Sequence, residues 1–425
     1  MMSINWQNLR PWSTSQNVAF ETLCSQLAGY EQTPPKSTFI RKAPPDAGVE
    51  CFWKLPNGDE WGWQTKFFLH PPNPNQWHQI DDSVKKALEK HPRLTFYTIC
   101  LPIDRQDPRI DEEKWFMDEW KDHVKKWKEW AQKRGMPVEF CYWGEHEVWE
   151  RLSREEHRGR YFFWFNKELF SQKWFQDRLK EAFGNAGPRY TPELNVELPI
   201  TRLFDGLGRT SEFYARAKGL YVKIKRAYSK AQSRRAQNAA KDDFESLRDS
   251  ISSLLSTIEN IEKLEVSPID MDSVVGLASK SDELAWDCIH DLDKAAKEED
   301  EKVTSLRQQG SYHPKRFDYE CYQLRELIGY LQSLQDFAQS SEACLSNVSA
   351  LLLVGEAGTG KTHLLCDAAK QRVSSDLPTI LVLGGHFTYQ EPWSQIINLL
   401  GLSCTRDEFL GSLEAIAQAR GSKAL

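Results

Sequence analysis

The amino-acid sequence predicts an α/β fold at both ends of the chain and an α-helical stretch between them. Three observations carry this. Short apolar runs alternate with helical periodicity up to about residue 165. Between Ser211 and Gln339 the chain is polar and charged, with apolar residues at helical spacing. Near residue 350 an apolar run enters a glycine-rich loop and then a helix. The expected segments are 1–166, 167–340 and 341–425, and a length of 425 residues leaves room for two or three domains.

Taken in order, Asn17 to Ala28 places Val18, Phe20, Leu23 and Leu27 at helical spacing. Val49 to Trp53 and Trp61 to Leu69 are aromatic and β-branched runs around Pro56-Asn57-Gly58, which predicts a hairpin. Ile80 to Lys90 reads as a helix stopped by His91-Pro92. Leu94 to Leu101 is a continuous apolar run, the pattern of a strand covered on both faces. A helix over Asp111 to Arg134 and strands at Val138 to Trp143 and Tyr161 to Phe165 complete the first α/β segment. A helix over Lys167 to Phe183, ending at Gly184, precedes a Pro- and Gly-rich linker, Gly187 to Val196. Three helical stretches follow, Ser211 to Lys263, Asp270 to Gln309 and Phe317 to Gln339, read as a bundle or long hairpin that connects the two α/β ends. No ligand-type cluster occurs there; His290 and His313 stand apart, and Lys297 to Lys302 is a solvated charge run.

Composition narrows the function. Apolar residues make up 40% of the chain, ample for buried cores. A net charge of −6 excludes a broadly basic coat, so any nucleic-acid contact must be a local patch. The Trp residues lie mostly before position 180; core and packing surface is the first reading and base stacking the other. Met1 to Arg10 lacks the apolar core of a secretory signal, and no apolar run approaches the ~18 residues of a membrane span. The Cys residues are scattered without metal-ligand spacing, which predicts reduced thiols in a cytoplasmic protein and no zinc site.

Ala350 to Val354 is a short apolar run, expected to be a strand, followed by Gly355-Glu356-Ala357-Gly358-Thr359-Gly360-Lys361-Thr362 and a helix through Leu364 to Ala369. This is the P-loop pattern GxxxxGKT in its strand–loop–helix setting. The glycines let successive N–H groups turn toward phosphate oxygens, and the helix dipole adds positive potential there. Gly355, Gly358 and Gly360 are expected to shape the cradle, Lys361 to reach the β- and γ-phosphates, and Thr362 to offer its hydroxyl to Mg²⁺. The implied cofactors are ATP and Mg²⁺. Thr379 to Leu383 is expected as a second buried strand and Phe409 to Ala419 as a further helix. No acidic residue follows at the end of another strand, and Lys423-Ala424-Leu425 reads as such a strand beginning. The expectation is an N-terminal part of a longer protein with an incomplete ATPase module; the alternative is a degenerate module that binds nucleotide or nothing.

A second constellation lies in the first segment. Gln64 and Lys66 share one face of a strand, Glu50 on the partner strand can point there, and Glu21 on the preceding helix can approach. Two carboxylates beside a lysine suit metal-assisted phosphodiester hydrolysis. Oxygen ligands from Glu21, Glu50 and Gln64 favour Mg²⁺, with Mn²⁺ as the other candidate.

The run from Glu50 to Gln64-Thr65-Lys66 resembles the (D/E)-x(n)-QxK pattern of Mrr-like restriction endonucleases, within the PD-(D/E)xK superfamily. Glu50 stands where many members carry Asp, and Gln64 is similar to the Mrr branch. The order of helix, hairpin, helix and buried strand over residues 15–165 matches as well. The resemblance implies a restriction-endonuclease-like fold and a Mg²⁺-dependent DNA endonuclease with Glu21, Glu50, Gln64 and Lys66 as catalytic residues. Together with a helical connector and a P-loop module, the whole resembles the antiviral STAND NTPases of phage defence (AVAST-type). Gly187 to Val196 and Gly355 to His363 are similar to that group, which adds His363 to the nucleotide-binding residues. That resemblance implies double-stranded DNA as target, a phage protein as trigger through a sensor region, and homo-oligomerisation on activation. The other reading is a regulatory nucleotide-binding protein whose N-terminal domain only binds DNA or protein.

Overall fold

The computed structural model describes residues 4–42, 47–105, 115–167, 169–194, 200–261, 268–304 and 317–425. The architecture is mixed α/β and mostly helical, with one five-stranded sheet. Contacts divide the chain into two compact units, one formed by Met1–Val196 with Val354–Leu425 and one by Glu197–Glu262 with Pro268–Leu353. Residues 167–194 and 354–425 thus share a unit with the N-terminal sheet.

The first unit begins with α1 (Gln16–Ala28), whose Ser15 cap accepts from the Asn17 N–H. Strand β1 (Thr38–Arg41), which periodicity does not single out, pairs antiparallel with β2 (Cys51–Lys54). The expected hairpin follows: β2 pairs antiparallel with β3 (Glu60–Thr65), with Cys51 opposite Trp63. The second strand is shorter than expected, because after Thr65 the chain leaves the sheet at Lys66, whose N–H donates to the Cys100 carbonyl. Helix α2 (Pro74–Lys90) starts earlier than the apolar pattern indicates, since Asn73 and Gln76 form a capping box around Pro74. It crosses over to β4 (Leu94–Cys100), parallel to β3, and α3 (Phe116–Gln132) crosses to β5 (Glu139–Trp143), parallel to β4. The expected start of α3 at Asp111 lies outside the described residues. Strand order is β1-β2-β3-β4-β5, so Leu94–Cys100 is an interior strand, as a run apolar on both faces requires. Its Tyr97 and Ile99 join the core under α2 and α3, and Cys100 joins the core on the opposite face. Trp6, Trp53, Trp63, Trp77, Trp120, Trp127, Trp143 and Trp164 are all buried, so the indoles serve packing.

Helix α4 (Glu145–Leu152) and α5 (Arg158–Phe165) cover that opposite face with α1. The Tyr161–Phe165 run, expected as a strand, is therefore helical. A continuous apolar run fits either state, and here Gly159, Arg160, Phe163 and Trp164 gather on one helical face. Helix α6 (Gln172–Ala186) starts at the Ser171 cap and runs through Gly184, ending at Gly187. Two 3-10 turns, Gly187–Arg189 and Pro192–Leu194, form the described part of the linker.

The second unit holds α7 (Thr201–Gly208), α8 (Ser211–Ala231), α9 (Arg234–Ala239), α10 (Lys241–Ile261), α11 (Met271–Thr304), α12 (Asp318–Gln339) and α13 (Ser341–Leu345). Helices α8, α10, α11 and α12 pack around one another in a closed cycle, a four-helix bundle with Leu247, Leu254, Leu292, Leu324 and Leu331 fully inside. His290 is exposed, and His313 and the far end of the Asp270–Gln309 stretch lie outside the described residues.

The remainder of the first unit carries α14 (Lys361–Ser374), α15 (Pro392–Leu399) and α16 (Arg406–Ala419). Two expected strands do not form sheets among the described residues. Leu352 and Val354 are 84% and 85% exposed, and an apolar run is a strand only where it finds a partner ladder. In Thr379–Leu383, Thr379 is buried and the following residues half-buried, with Ile380 N–H donating to the Leu425 carbonyl at 2.9 Å and Leu425 N–H to the Pro378 carbonyl at 3.2 Å. Helix α16 packs on α5 and α1, so Phe409, Ala415 and Ile416 share one core with Phe20, Leu23 and Trp164. Among the described residues no helix is long and apolar enough to cross a membrane.

Candidate metal and phosphate sites

The acid–lysine constellation assembles at the end of β3. The antiparallel register that sets Cys51 against Trp63 places Glu50 beside Gln64, and Glu50 N–H donates to the Trp63 carbonyl. Glu50 is 4% exposed and Gln64 2% exposed. Gln64 Nε2 donates to Glu50 Oε1 at 2.5 Å. Thr65 donates twice to Glu50 Oε2, from its N–H at 3.0 Å and from Oγ1 at 2.6 Å. Thr65 was not singled out from the sequence. Strict strand alternation would turn it away from Gln64, but it is the last residue of β3, where the chain already leaves the pleat. Its position between Gln64 and Lys66 was the only sequence signal.

Electrostatics ties the other two residues to this point. Burial pushes the Glu50 carboxyl up to about 8; the charge of Glu21 pushes the same way, while Thr65 and Lys66 act against it. Glu21 on α1 and Lys66 just past β3 are both half-buried. All four sequence-predicted residues thus influence one place.

The donor set fits a hard divalent cation. Gln64 Oε1 is buried with no hydrogen-bond partner among the described residues, beside a carboxylate that burial makes costly to ionise. A cation there satisfies the orphan oxygen and offsets the charge. Burial also holds the neighbouring thiols of Cys24, Cys51 and Cys100 above their ordinary range. The set holds two carboxylates and an amide; among the described residues no group of three His, Cys, Asp or Glu side chains could hold a metal.

The second site is the glycine loop. Gly358 and Gly360 both have φ of +82°, a left-handed conformation in which glycine avoids the Cβ penalty, and Gly360 caps α14. Lys361 Nζ folds back over the loop to the carbonyls of Gly355 at 2.7 Å and Glu356 at 2.6 Å. The loop backbone is exposed, and Thr362 and His363 are half-buried in the first turn of α14. The linker reaches this turn: Thr191 N–H donates to His363 Nδ1 at 3.5 Å, and the Tyr190 ring lies 5.2 Å from the imidazole.

Comparison with family models, with curated proteins and with solved structures found no match.

Proposed function

We propose that the chain is a metal-dependent DNA endonuclease, with an Mrr-like restriction-endonuclease-like fold at its N-terminus, joined to a P-loop nucleotide module of the antiviral STAND type. The observation that carries this reading is the gathering of Glu50, Gln64 and Thr65 at the end of β3 within the fields of Glu21 and Lys66. Glu21, Glu50 and Gln64 would hold Mg²⁺ or Mn²⁺, which when bound supplies Lewis acidity and a water of lowered pKa. The protein's own part is separable. Thr65 fixes the Glu50 carboxylate by two hydrogen bonds, and Gln64 fixes its other oxygen. Lys66 contributes a positive charge where a phosphodiester gains negative charge in the transition state. Gly355, Gly358, Gly360, Lys361, Thr362 and His363 would take ATP, with Thr362 toward its Mg²⁺. In this reading a phage protein triggers nucleotide-dependent oligomerisation, and the assembled copies degrade double-stranded DNA.

The test is cleavage of linear and supercoiled DNA by the oligomerised protein with Mg²⁺ or Mn²⁺. Lys66→Ala and Glu50→Ala should each lower the rate by roughly 100-fold or more, and Lys66→Ala, at a half-buried position past the strand, should leave the thermal melt in place. Cleavage that persists in Lys66→Ala defeats the assignment. One observation favours the binding-only reading: both oxygens of Glu50 are already engaged by Gln64 and Thr65. That reading expects DNA retention without cleavage under every metal condition.

A further inference from the structure

The second unit carries a surface of one charge. From Phe213 to Ala240 the sequence holds no acidic residue, in a chain whose net charge is −6. Most of this stretch is α8. Phe213, Ala217, Ile224, Ala227, Tyr228 and Ala231 make its buried face. The opposite face is exposed and bears Lys218, Lys223, Lys225, Arg226 and Lys230. Lys218, Lys225, Arg226 and Lys230 recur at helical spacing, so the cations form a stripe along the helix. Arg216, half-buried, is the cation of α8 that pairs, with Asp205 and Glu342. The exposed cations have no ion-pair partner among the described residues. Lys225 lies over the Tyr221 ring at 5.5 Å and Lys223 over the Tyr330 ring at 5.7 Å, which holds both ammonium groups close to the helix surface. Like charges one turn apart, as in Arg226 and Lys230, weaken a helix when nothing neutralises them. An anion from outside would remove that cost.

We propose that the exposed face of α8 binds the phosphate backbone of duplex DNA, reading no sequence and doing no chemistry of its own. Lys218 to Lys230 spans roughly 18 Å at about 1.5 Å per residue, the rise of about five base pairs. Evenly charged, unpaired lysines and arginines neutralise phosphates, and such contacts position a duplex without specifying bases. A protein partner fits less well. Interface cores are depleted of lysine and anchored by large apolar side chains, and the one such residue strongly exposed on α8 is Val222. A single strand fits less well too, because it is held by stacking bases on aromatic rings. The rings beside this face, Tyr221 and Tyr330, are half-buried and lie under Lys225 and Lys223. The choice of DNA as the duplex rests on the endonuclease reading; the charge of the face does not.

The experiment is fluorescence anisotropy of a labelled DNA duplex titrated with the full chain, with divalent cations chelated so that nothing is cut. The parent should bind at low salt, with an affinity that falls steeply as salt rises. Lys225→Gln, Arg226→Gln and Lys230→Gln together should weaken binding roughly 10-fold or more. They should also lower the log–log salt slope by about 2–3, since each lost phosphate contact removes about 0.9. This variant should melt no lower than the parent, because it takes unpaired like charges off an exposed helix face. The control is Lys121→Gln, Lys125→Gln and Lys128→Gln on α3, equally exposed lysines interleaved with Asp122 and Glu129. It makes the same change in net charge and should move the affinity by less than about 2-fold. Equal losses in the two variants overturn the assignment, because net charge alone then governs. A parent that binds no duplex, or an α8 variant that binds as the parent does, overturns it as well. Double-stranded RNA that competes better than DNA overturns the choice of DNA. Loss of self-association with DNA binding unchanged, read by sedimentation, overturns it in favour of an acidic protein surface. Cleavage is scored separately through Lys66→Ala, so failure of this face leaves the endonuclease reading standing, and failure of that reading leaves the binding result intact.

Discussion

Burial holds the Glu50 carboxyl near 8, against an ordinary value of 4.5, and this has a consequence for stability. Between those values the folded chain keeps a proton that the unfolded chain has released. Stability contributed by this group is therefore lost as pH rises through that window, and the loss is complete above about 8. With divalent cations chelated, Glu50→Gln should gain on the parent by a few kcal/mol between about pH 5 and about pH 9, read by urea denaturation. Adding Mn²⁺ to the parent should recover part of that difference at high pH, because the cation replaces the proton; a parent that melts identically with and without Mn²⁺ contradicts the metal site. Gln64 and Glu50 were both legible as candidates from their spacing on a hairpin. Thr65 was not, because its role depends on where the strand ends.

At the scale of elements, α5 and α16 cross with their backbones in close contact. A Cβ built on Gly159 would lie 2.4 Å from the Gly411 Cα, a backbone atom that no rotamer change can move aside. Ser412 Oγ donates to the Gly159 carbonyl, and Gln26 on α1 donates to the Ala415 carbonyl at 2.6 Å while accepting from Trp164. Arg160, fully buried, donates to Gln418 and lies over the Tyr30 ring. Gly159→Ala should cost about 2–3 kcal/mol, and Gly411→Ala less, since its Cβ would sit 3.0 Å from the Gly159 Cα. Chemical denaturation gives the order, and the reverse order would show that the helices cross differently. Helix α1, which bears Glu21 of the candidate metal site, is also held by the segment that follows the phosphate loop.

For the molecule as a whole, the governing quantity is charge. A net charge of −6 leaves no broad basic surface, and affinity for a duplex rests largely on neutralising phosphates. A single copy is therefore expected to hold DNA poorly, while several copies raise the effective concentration of a weak local patch. In the proposed reading, the dilute chain should not degrade DNA with Mg²⁺, and the same chain fused to a tetramerising helix should. Robust cutting by the dilute monomer would remove the need for gating. The four-helix bundle of the second unit supplies no ligand-type cluster among the described residues, so a metal or substrate held wholly within it would contradict its reading as a connector.

The sequence by itself determined what is local. The glycine loop and its helix are contiguous, and their conformations follow from residue type, as the positive φ of Gly358 and Gly360 illustrates. The hairpin register followed from a short turn between alternating runs, which brought Glu50 to Gln64. Only the tertiary structure decided the rest. It made a helix of Tyr161–Phe165, because periodicity cannot tell a short buried strand from a buried helix. It left Ala350–Val354 without a ladder among the described residues, because strand propensity does not supply a partner. It placed Thr191 against His363, 172 positions apart, and Gly159 against Gly411, contacts that no local window of sequence encodes. The charge state of Glu50 belongs to the same class, since it is set by the burial and the neighbouring charges that folding assembles around it.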